Sequence, residues 1–391
     1  MSDTATRTLG DEVAATPMAT ASGGKKPVKR LMVLAAFVVM LVVPYYVEPF
    51  WSQVAFGVFA AAIGAIGLNL LVGTTGQLSL AHAFFLAVGA ATYCYVSGEP
   101  GGTATAVDGL GAPPVVGMLC GVALAGLAGL LFSPIAARLR GIYLGVASLG
   151  LVFIGQHLLN TLEKVTGGFN GRSTPTFAVP GFTFGSSDPD LFVLGVPFGE
   201  AEREYYLGLF LLAAAWWFAH NLLRSRPGRA LQTLRDSETA AAVMGVHVQG
   251  YKARVFFVSS LYAGLAGVLT ALSIGAIAPE SFTLEVSVLY LAMIVLGGLG
   301  SVGGAVAGAA FVAALPVVFQ RYADVLPLLS QPGQGGLSAP QGARILFGIT
   351  IIAVVLFQPA GLAGLARRRP RRPSRSTSVE PSTAPAQGST T

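Results

Sequence analysis

The stretch RALQTLRDSETAAAVMG, residues 229–245, is polar and helix-forming, yet it lies between two long apolar segments. The chain around it is 53% hydrophobic and only 11% charged, whereas globular domains carry roughly 25% charged residues. This composition excludes a soluble protein. A water-facing helix in a chain that is otherwise apolar predicts a contact for another protein outside the membrane.

The apolar runs on both sides of this stretch predict a bundle of membrane helices. A bilayer core is crossed by about 20 apolar residues, and two of the runs are long enough for two helices each or for a re-entrant hairpin. With two helices in each long run, the predicted fold is an all-α polytopic membrane protein of about ten transmembrane helices over residues 31–366. The spans are predicted within 31–47, 49–100 (double), 110–137, 141–162, 205–223, 255–278, 286–320 (double) and 345–366.

The distribution of basic residues predicts the orientation. With ten spans, the basic clusters before the first span, after the fourth, between the sixth and seventh, and after the tenth fall on one side. The positive-inside rule makes that side cytoplasmic, so both termini and the loop 224–254 are predicted inside. The long loop 161–204 is predicted outside, either as a docking surface for a delivery protein or as a spacer over the helix ends.

The two terminal tails differ from the predicted bundle in composition. Residues 1–30 and 367–391 are predicted to be disordered cytoplasmic segments, the second of them basic and rich in proline and serine. The arginines of the second tail are expected to fix the topology and to contact anionic membrane lipid. Nucleic-acid binding is disfavoured, because the charge lies at the ends of apolar runs.

Capping signals subdivide the polar stretch. RALQTL predicts one or two amphipathic turns, and Asp236 or Ser237 is a candidate N-cap for the residues that follow. Glu238 suits the first turn of a helix because of the helix dipole, and Gly245 suits the position just after a helix end. The prediction is a short helix from Glu238 to Met244 that projects into the cytoplasm; the alternative is a plain solvated connector.

A second polar stretch, NLLVGTTGQLSLAHAFF at residues 69–85, interrupts an apolar run with glycine and polar side chains. Non-helical backbone at membrane depth is tolerated only against protein or a water-filled path. One interpretation is a kinked or re-entrant segment that lines a translocation route; the other is a cytoplasmic turn with Ser79 as the cap of the next helix. The candidate lining residues are Asn69, Gly76, Gln77, Ser79 and His82.

Small residues recur at four-residue spacing at Gly300, Gly304 and Gly308. This spacing lets two helix backbones approach closely, and packing within the chain is favoured over contact with a substrate. The scattered histidines and two cysteines predict no metal site, catalytic set or disulfide. No GxxxxGK[ST] sequence occurs, so no catalytic residue or cofactor is predicted, and ATP chemistry would have to come from a separate chain.

Six stretches together resemble a known family. GTTGQLSLAHAFFLAVGA is similar to the G-x-x-G-Q-L-S-L-G/A-H-A-x-F motif of branched-chain amino acid ABC-transporter permeases of the LivM type. The further matches follow in family order: LRGIYLGVASLG, VTGGFNG, the polar stretch with its flanks, APESFTLEVSVLYLAMIVLGGLGSVGGAVAGAA and LFQPAGLAGL. The matches run in this order within the region from about residue 31 to 366.

The resemblance implies an importer-type ABC permease fold in a prokaryotic cytoplasmic membrane, working by alternating access. It implies a second homologous permease subunit, two cytoplasmic ATPase subunits and an extracytoplasmic solute-binding protein. The helix from Glu238 then resembles a coupling helix, whose motif is often E-A-A-x-x-x-G. Here Thr239 stands at the first position, and Glu238 comes one residue early. The implied coupling residues are Arg229, Arg235, Asp236, Glu238, Thr239, Ala240, Ala241 and Gly245.

Other transport functions remain open at this stage. Permeases for urea or short amides share the same motifs, so they are an alternative within the ABC class. A secondary transporter would need ionisable residues at mid-span, and the sequence offers no intramembrane acid–base pair. A passive channel for small neutral solutes would leave the cytoplasmic helix without a role.

Overall fold

The computed structural model describes residues 35, 37–101, 108–139, 141–185, 191–193, 196–322, 339–357 and 361–365. The predicted tails 1–30 and 367–391, and parts of the first and last predicted spans, lie outside these residues. Within them the chain is mainly α-helical. Three two-stranded antiparallel pairings are the β-structure of the described residues.

The long apolar runs form helices, most of which end at glycine, proline or a charged residue. Residues 37–42 are helical and lead into a 3-10 turn, Val43–Tyr45. The larger helices are α1 Pro49–Leu68, α2 His82–Ser97, α3 Pro114–Arg138, α4 Ile142–Thr161, α6 Glu200–Arg224, α9 Val248–Ile274, α10 Leu284–Gly297, α11 Val302–Arg321 and α12 Ala339–Phe357. The shorter ones are α5 Glu163–Thr166, α7 Arg226–Asp236, α8 Glu238–Val243 and α13 Leu362–Leu365.

Both double runs contain two helices. A π-helical turn, Asn69–Gly73, extends α1, and α2 starts only at His82. A short turn separates α10 from α11. Seven helical segments of the described part of the chain are long and apolar enough to cross a membrane, and α2 is a shorter apolar helix. The count of about ten spans and the cytoplasmic position of the termini stay predictions.

The core lies around α1 and α9. Helix α9 packs against α3, α1 and α2, and α1 packs in addition against α6 and α11. These two helices are largely buried, whereas most of α3, α4, α6 and α11 is not. The outer helices present large apolar side chains such as Leu131, Ile142 and Phe210. Exposed apolar surface of this extent matches a lipid or membrane-protein environment.

One end of the bundle carries a small β-containing unit within the predicted outside loop. Strand β1, Arg172–Ser173, pairs with β6, Ala276–Ile277, directly after α9. Strands β2, Ala178–Val179, and β3, Phe182–Thr183, form a hairpin, as do β4, Leu191–Val193, and β5, Val196–Phe198. This pairing ties the loop to the end of the central helix.

The opposite end of the bundle carries α7 and α8. A cluster of buried apolar side chains joins Leu231 of α7 to Leu71, Ala81 and Leu144. The connections α1–α2, α3–α4 and α6–α9 therefore meet at this end, which we call the basic end. The α10–α11 turn lies there too, because Gly300 is next to Arg235 of α7. The predicted alternation of spans groups the same four connections on one side.

Candidate functional site

The polar stretch folds as two helices, α7 and α8, with Ser237 between them. Ser225 separates α6 from α7, and its hydroxyl accepts a hydrogen bond from the backbone N–H of Gly228 at 3.4 Å. Helix α7 covers eleven residues and is thus longer than the one or two turns predicted from RALQTL. It buries Leu231 and Leu234 against the bundle, so it lies flat against the end of the helices.

Helix α8 is closed at both ends. The Ser237 hydroxyl accepts a hydrogen bond from the Ala240 N–H at 3.2 Å, which is the N-cap geometry. At the other end, the N–H of Val246 reaches the carbonyl of Ala241 at 3.0 Å, with Gly245 at φ +80° between them. This is a Schellman motif. The helix ends at Val243, one residue before the predicted end.

One face of α8 is free. Ala241 is buried, while Thr239 and Ala240 are exposed. The apolar side chains of Val243 and Met244 are 84% and 63% exposed at the helix end. Arg229 and Asp236 are also exposed, on α7. The result is a short projecting helix whose small and apolar surface is available to another molecule.

An ion pair fixes α8 to the central helix. Lys252 Nζ lies 2.6 Å from Glu238 Oε1, and the lysine side chain is only 2% exposed while that of Glu238 is 29% exposed. Lys252 lies in the first turns of α9, whose start is capped by the His247 ring. The pair therefore ties α8 to α9, because a buried ammonium group separates from its carboxylate only at high cost.

Arg235 makes a second contact between this region and the bundle. Its Nη1 donates a hydrogen bond to the carbonyl of Gly73 at 2.6 Å. The Gly300 N–H in turn donates to Asn69 Oδ1 at 2.9 Å. The side chain of Arg235 thus meets the end of α1 where that helix breaks, close to the turn between α10 and α11.

The broken segment after α1 carries most of the proposed lining residues. Asn69, Gln77, Ser79 and His82 are buried, and Gly76 is exposed with φ +68°. Ser79 does not cap α2, which begins without a side-chain cap. Its hydroxyl instead accepts a hydrogen bond from the Ala81 N–H at 3.4 Å. The predicted Ser79 cap is therefore wrong, while the turn between two helices and the route-lining interpretation both stay predictions.

Neighbouring helices support the non-helical backbone of this segment. The Ser148 hydroxyl accepts from the Leu80 N–H at 2.8 Å, and the Ser287 hydroxyl accepts from the Ala83 N–H at 2.9 Å. The His82 ring packs on the Tyr290 ring with centroids 4.6 Å apart. Protein groups thus satisfy the backbone donors of Leu80 and Ala83, as is needed where backbone is shielded from water.

Two polar groups in this segment have no hydrogen-bond partner among the described residues. Both amide atoms of Gln77 and Nε2 of His82 are buried in this state. Buried polar groups are usually paired with protein or water, so these two side chains are suited to bind a polar group that enters the segment. No three His, Cys, Asp or Glu side chains of the described residues are grouped to hold a metal ion.

The small-residue motif separates into two roles. Gly304 and Gly308 lie on α11, and a methyl group on either would overlap the carbonyl oxygen of Gly297 or Met293 on α10. Gly300 lies in the preceding turn at φ +80° rather than on the helix. The motif therefore packs α11 on α10, and Gly300 instead contacts the Arg235 region.

Sequence reasoning missed several of these partners. Lys252, Ser148, Ser287 and Tyr290 contact the site. All four lie in or beside stretches that resemble the family, but no local spacing pairs them with their partners. Lys252 has the position of an ordinary basic residue before a span, so its pairing with Glu238 becomes visible only in three dimensions.

Comparison with known proteins identifies the family. A model described as the branched-chain amino acid transport system / permease component matches residues 50–355. The chain belongs to this permease family. It is a multi-pass protein of the prokaryotic cytoplasmic membrane, in agreement with its membrane-capable helices.

Relatives of this permease show the breadth of the family. The high-affinity branched-chain amino acid transport system permease protein LivM of Escherichia coli K12 is 33% identical over 70% of this chain and 65% of its own length. The probable LivM of Methanocaldococcus jannaschii is 22% identical over 81% of this chain and 90% of its own. The ribose import permease protein RbsC of E. coli K12 is 27% identical over 62% of this chain and 67% of its own. The chain thus spans slightly less than two thirds of the E. coli LivM protein, and no solved structure matches it.

Proposed function

We propose that this chain is the membrane-spanning permease subunit of an ATP-driven importer for branched-chain amino acids. The observation that carries the ATP-driven part is α8, a helix capped at both ends, exposed at Val243 and Met244, and bound to α9 through Glu238 and Lys252. Such a helix is suited to receive movement from another protein. The amino-acid substrate class rests on the family and on the LivM relatives.

The complete transporter contains further chains in this proposal. A second homologous permease subunit completes the pathway, two cytoplasmic ATPase subunits seat α8, and an extracytoplasmic binding protein delivers the solute at the end that carries β1 and β6. The coupling residues are Arg229, Arg235, Asp236, Glu238, Thr239, Ala240, Ala241 and Gly245. Their exposure, or their contact with the bundle, is consistent with that role.

The mechanism is alternating access. Closure of the ATPase subunits on ATP displaces α8, and α9 and the break at Gly73–Ala81 follow through the two contacts at the basic end. Asn69, Gly76, Gln77, Ser79 and His82 then line the route. The amide of Gln77 and the imidazole of His82 offer neutral hydrogen-bonding groups to a zwitterion without trapping it by charge.

Transport in proteoliposomes tests this function. The chain is reconstituted with its ATPase, second permease and binding-protein partners, and uptake of radiolabelled leucine is measured with and without ATP. We expect uptake only when the ATPase subunits and ATP are present. Leucine uptake by vesicles that lack the ATPase subunits would indicate a secondary transporter or a channel. Competition by unlabelled urea or ribose, rather than by isoleucine and valine, would indicate that the substrate is not a branched-chain amino acid.

Variants of Gly245 test the docking of α8. Gly245→Arg adds a long side chain at a position with open space around it in this chain, so it should block a partner without a clash inside the permease. Gly245→Ala is the matched control, because both variants carry the same strain of about 1–2 kcal/mol at positive φ. We expect the arginine variant to insert normally and to lose the ATPase subunits on affinity purification, while the alanine variant retains them. Retention by both would leave α8 a connector.

A further inference from the structure

The broken end of α1 and the turn between α10 and α11 meet in backbone contact at the basic end. Helix α1 passes through a π turn and loses helical structure after Thr75, and α10 gives way to α11 through the turn around Gly300. The Gly300 N–H donates to Asn69 Oδ1 at 2.9 Å. A methyl group on Gly73 would lie 2.5 Å from the Gly300 nitrogen. The end of α1 and the turn between α10 and α11 therefore form a single junction of the bundle.

The Arg235 side chain lies against both parts of this junction. Its Nη1 donates to the Gly73 carbonyl at 2.6 Å, and a methyl group on Gly300 would be 3.3 Å from the same nitrogen. A methyl group on Gly76 would lie 3.8 Å from the Arg235 Cγ. Arg235 belongs to the last turn of α7, directly before the Ser237 cap of α8. The Arg235 side chain, which lies just before α8, thus binds a carbonyl of the broken segment.

The bond is of a type that transmits position. A guanidinium group donates in a fixed planar geometry, which makes its hydrogen bonds directional. The Gly73 carbonyl is near the end of the helical part of α1, where carbonyls lose their intrahelical partners. The next few residues include Gln77 and lead to His82, so a displacement of Gly73 reaches the side chains that face the proposed route.

We propose that Arg235 is a positioning residue that couples the movement of α7 and α8 to the break between Gly73 and Ala81, with the Gly300 turn as the other side of the junction. The proposal rests on the ATP-driven function above. Lys252 and Arg235 then have different tasks: Lys252 holds α8 to the central helix, and Arg235 links the same region to the broken segment.

Uptake per ATP hydrolysed distinguishes this role from docking. In the reconstituted complex we expect Arg235→Ala to keep its ATPase subunits and ATP hydrolysis within about twofold, while leucine uptake per ATP falls about tenfold. Arg235→Lys should restore at least half of the uptake, because an ammonium group can still donate to the Gly73 carbonyl. Arg226→Ala is the matched control, an exposed arginine on the same helix, and should stay within about twofold in both readouts.

Several results would overturn the proposal without touching the transport function. These are normal uptake in Arg235→Ala, loss of the ATPase subunits in that variant, or an equal defect in Arg226→Ala. Should Arg235→Ala not reach the membrane, Arg235→Lys and Arg235→Met decide the point, because methionine has a similar length and no hydrogen-bond donor. An active lysine variant and an uncoupled methionine variant support the proposal, and equal uptake in the two refutes it. Failure of the proposed function has a different signature, namely wild-type leucine uptake without ATPase subunits.

Discussion

The Glu238–Lys252 ion pair should be strongly asymmetric in its response to mutation. Glu238→Ala leaves the Lys252 ammonium group without its carboxylate in a place where only 2% of the side chain is exposed. Removal of one partner of a buried ion pair costs about 3–5 kcal/mol. Lys252→Met leaves a carboxylate that is 29% exposed and can be hydrated, so the cost falls to about 1–2 kcal/mol, near the lower range for the loss of one hydrogen-bond partner.

These costs act first on α8. A helix of six residues is not stable alone, so its order depends on Ala241, its caps and this ion pair. Each 1.4 kcal/mol corresponds to a factor of about ten in an equilibrium constant. Amide hydrogen exchange of residues 240–246 should therefore accelerate about 100-fold or more in Glu238→Ala and roughly 5- to 30-fold in Lys252→Met. The double variant should exchange more slowly than Glu238→Ala, because no unpaired buried charge remains.

Hydrogen–deuterium exchange with mass spectrometry of the permease in nanodiscs measures these rates. Glu280→Ala is the control, since it removes an exposed acid that follows α9 at the opposite end, and α8 should exchange there as in the wild type. Faster exchange in Lys252→Met than in Glu238→Ala would refute the reasoning. So would a double variant whose cost equals the sum of the two single costs, since the pair would then contribute no coupling.

Two further predictions concern packing and the opposite end of the bundle. Gly308→Ala places a methyl group on the Met293 carbonyl and should lower the free energy of unfolding of the purified permease by about 1–3 kcal/mol. Gly150→Ala, which meets open space, should not lower it. Equal melting temperatures of the two variants would exclude the close approach of α10 and α11. Arg172 is buried and donates to the Val165 carbonyl at 2.7 Å, so Arg172→Ala should make the loop 161–185 far more sensitive to limited proteolysis at a cost of about 1.5–3 kcal/mol. Exposed Lys164→Ala is its control, and equal cleavage in the two variants would argue against a structural role of Arg172.

Local features of the site followed from the sequence because their causes are local. The Ser237 cap and the Gly245 stop depend on residues three to five positions apart, and the structure has both. The break after α1 was visible for the same reason, since Gly73 and Gly76 interrupt an apolar run. Helix positions likewise followed from the length of each uncharged run.

The contacts that join these features could not be derived in the same way. Arg235 and Gly73 are 162 residues apart, and Asn69 and Gly300 are 231 apart. No periodicity or composition relates such positions, because the contact depends on how α1, α7 and α10 pack. Gly300 shows the limit clearly: its spacing from Gly304 predicts a helix face, yet a positive φ and the approach of Arg235 place it in a turn.

Helix α9 connects the two ends of this permease. Its first turns hold Lys252 against Glu238, and after Gly275 the chain continues directly into β6, which pairs with β1 of the loop at the opposite end. At 1.5 Å per residue, its 27 residues span about 40 Å. A largely buried helix packed against α1, α2 and α3 moves as a rigid element rather than by bending. In the proposed mechanism a displacement of α8 reaches the opposite end through α9, while Arg235 acts on the broken segment at the near end. The two paths start from the adjacent helices α7 and α8, so one movement at the basic end would reach both ends of the bundle.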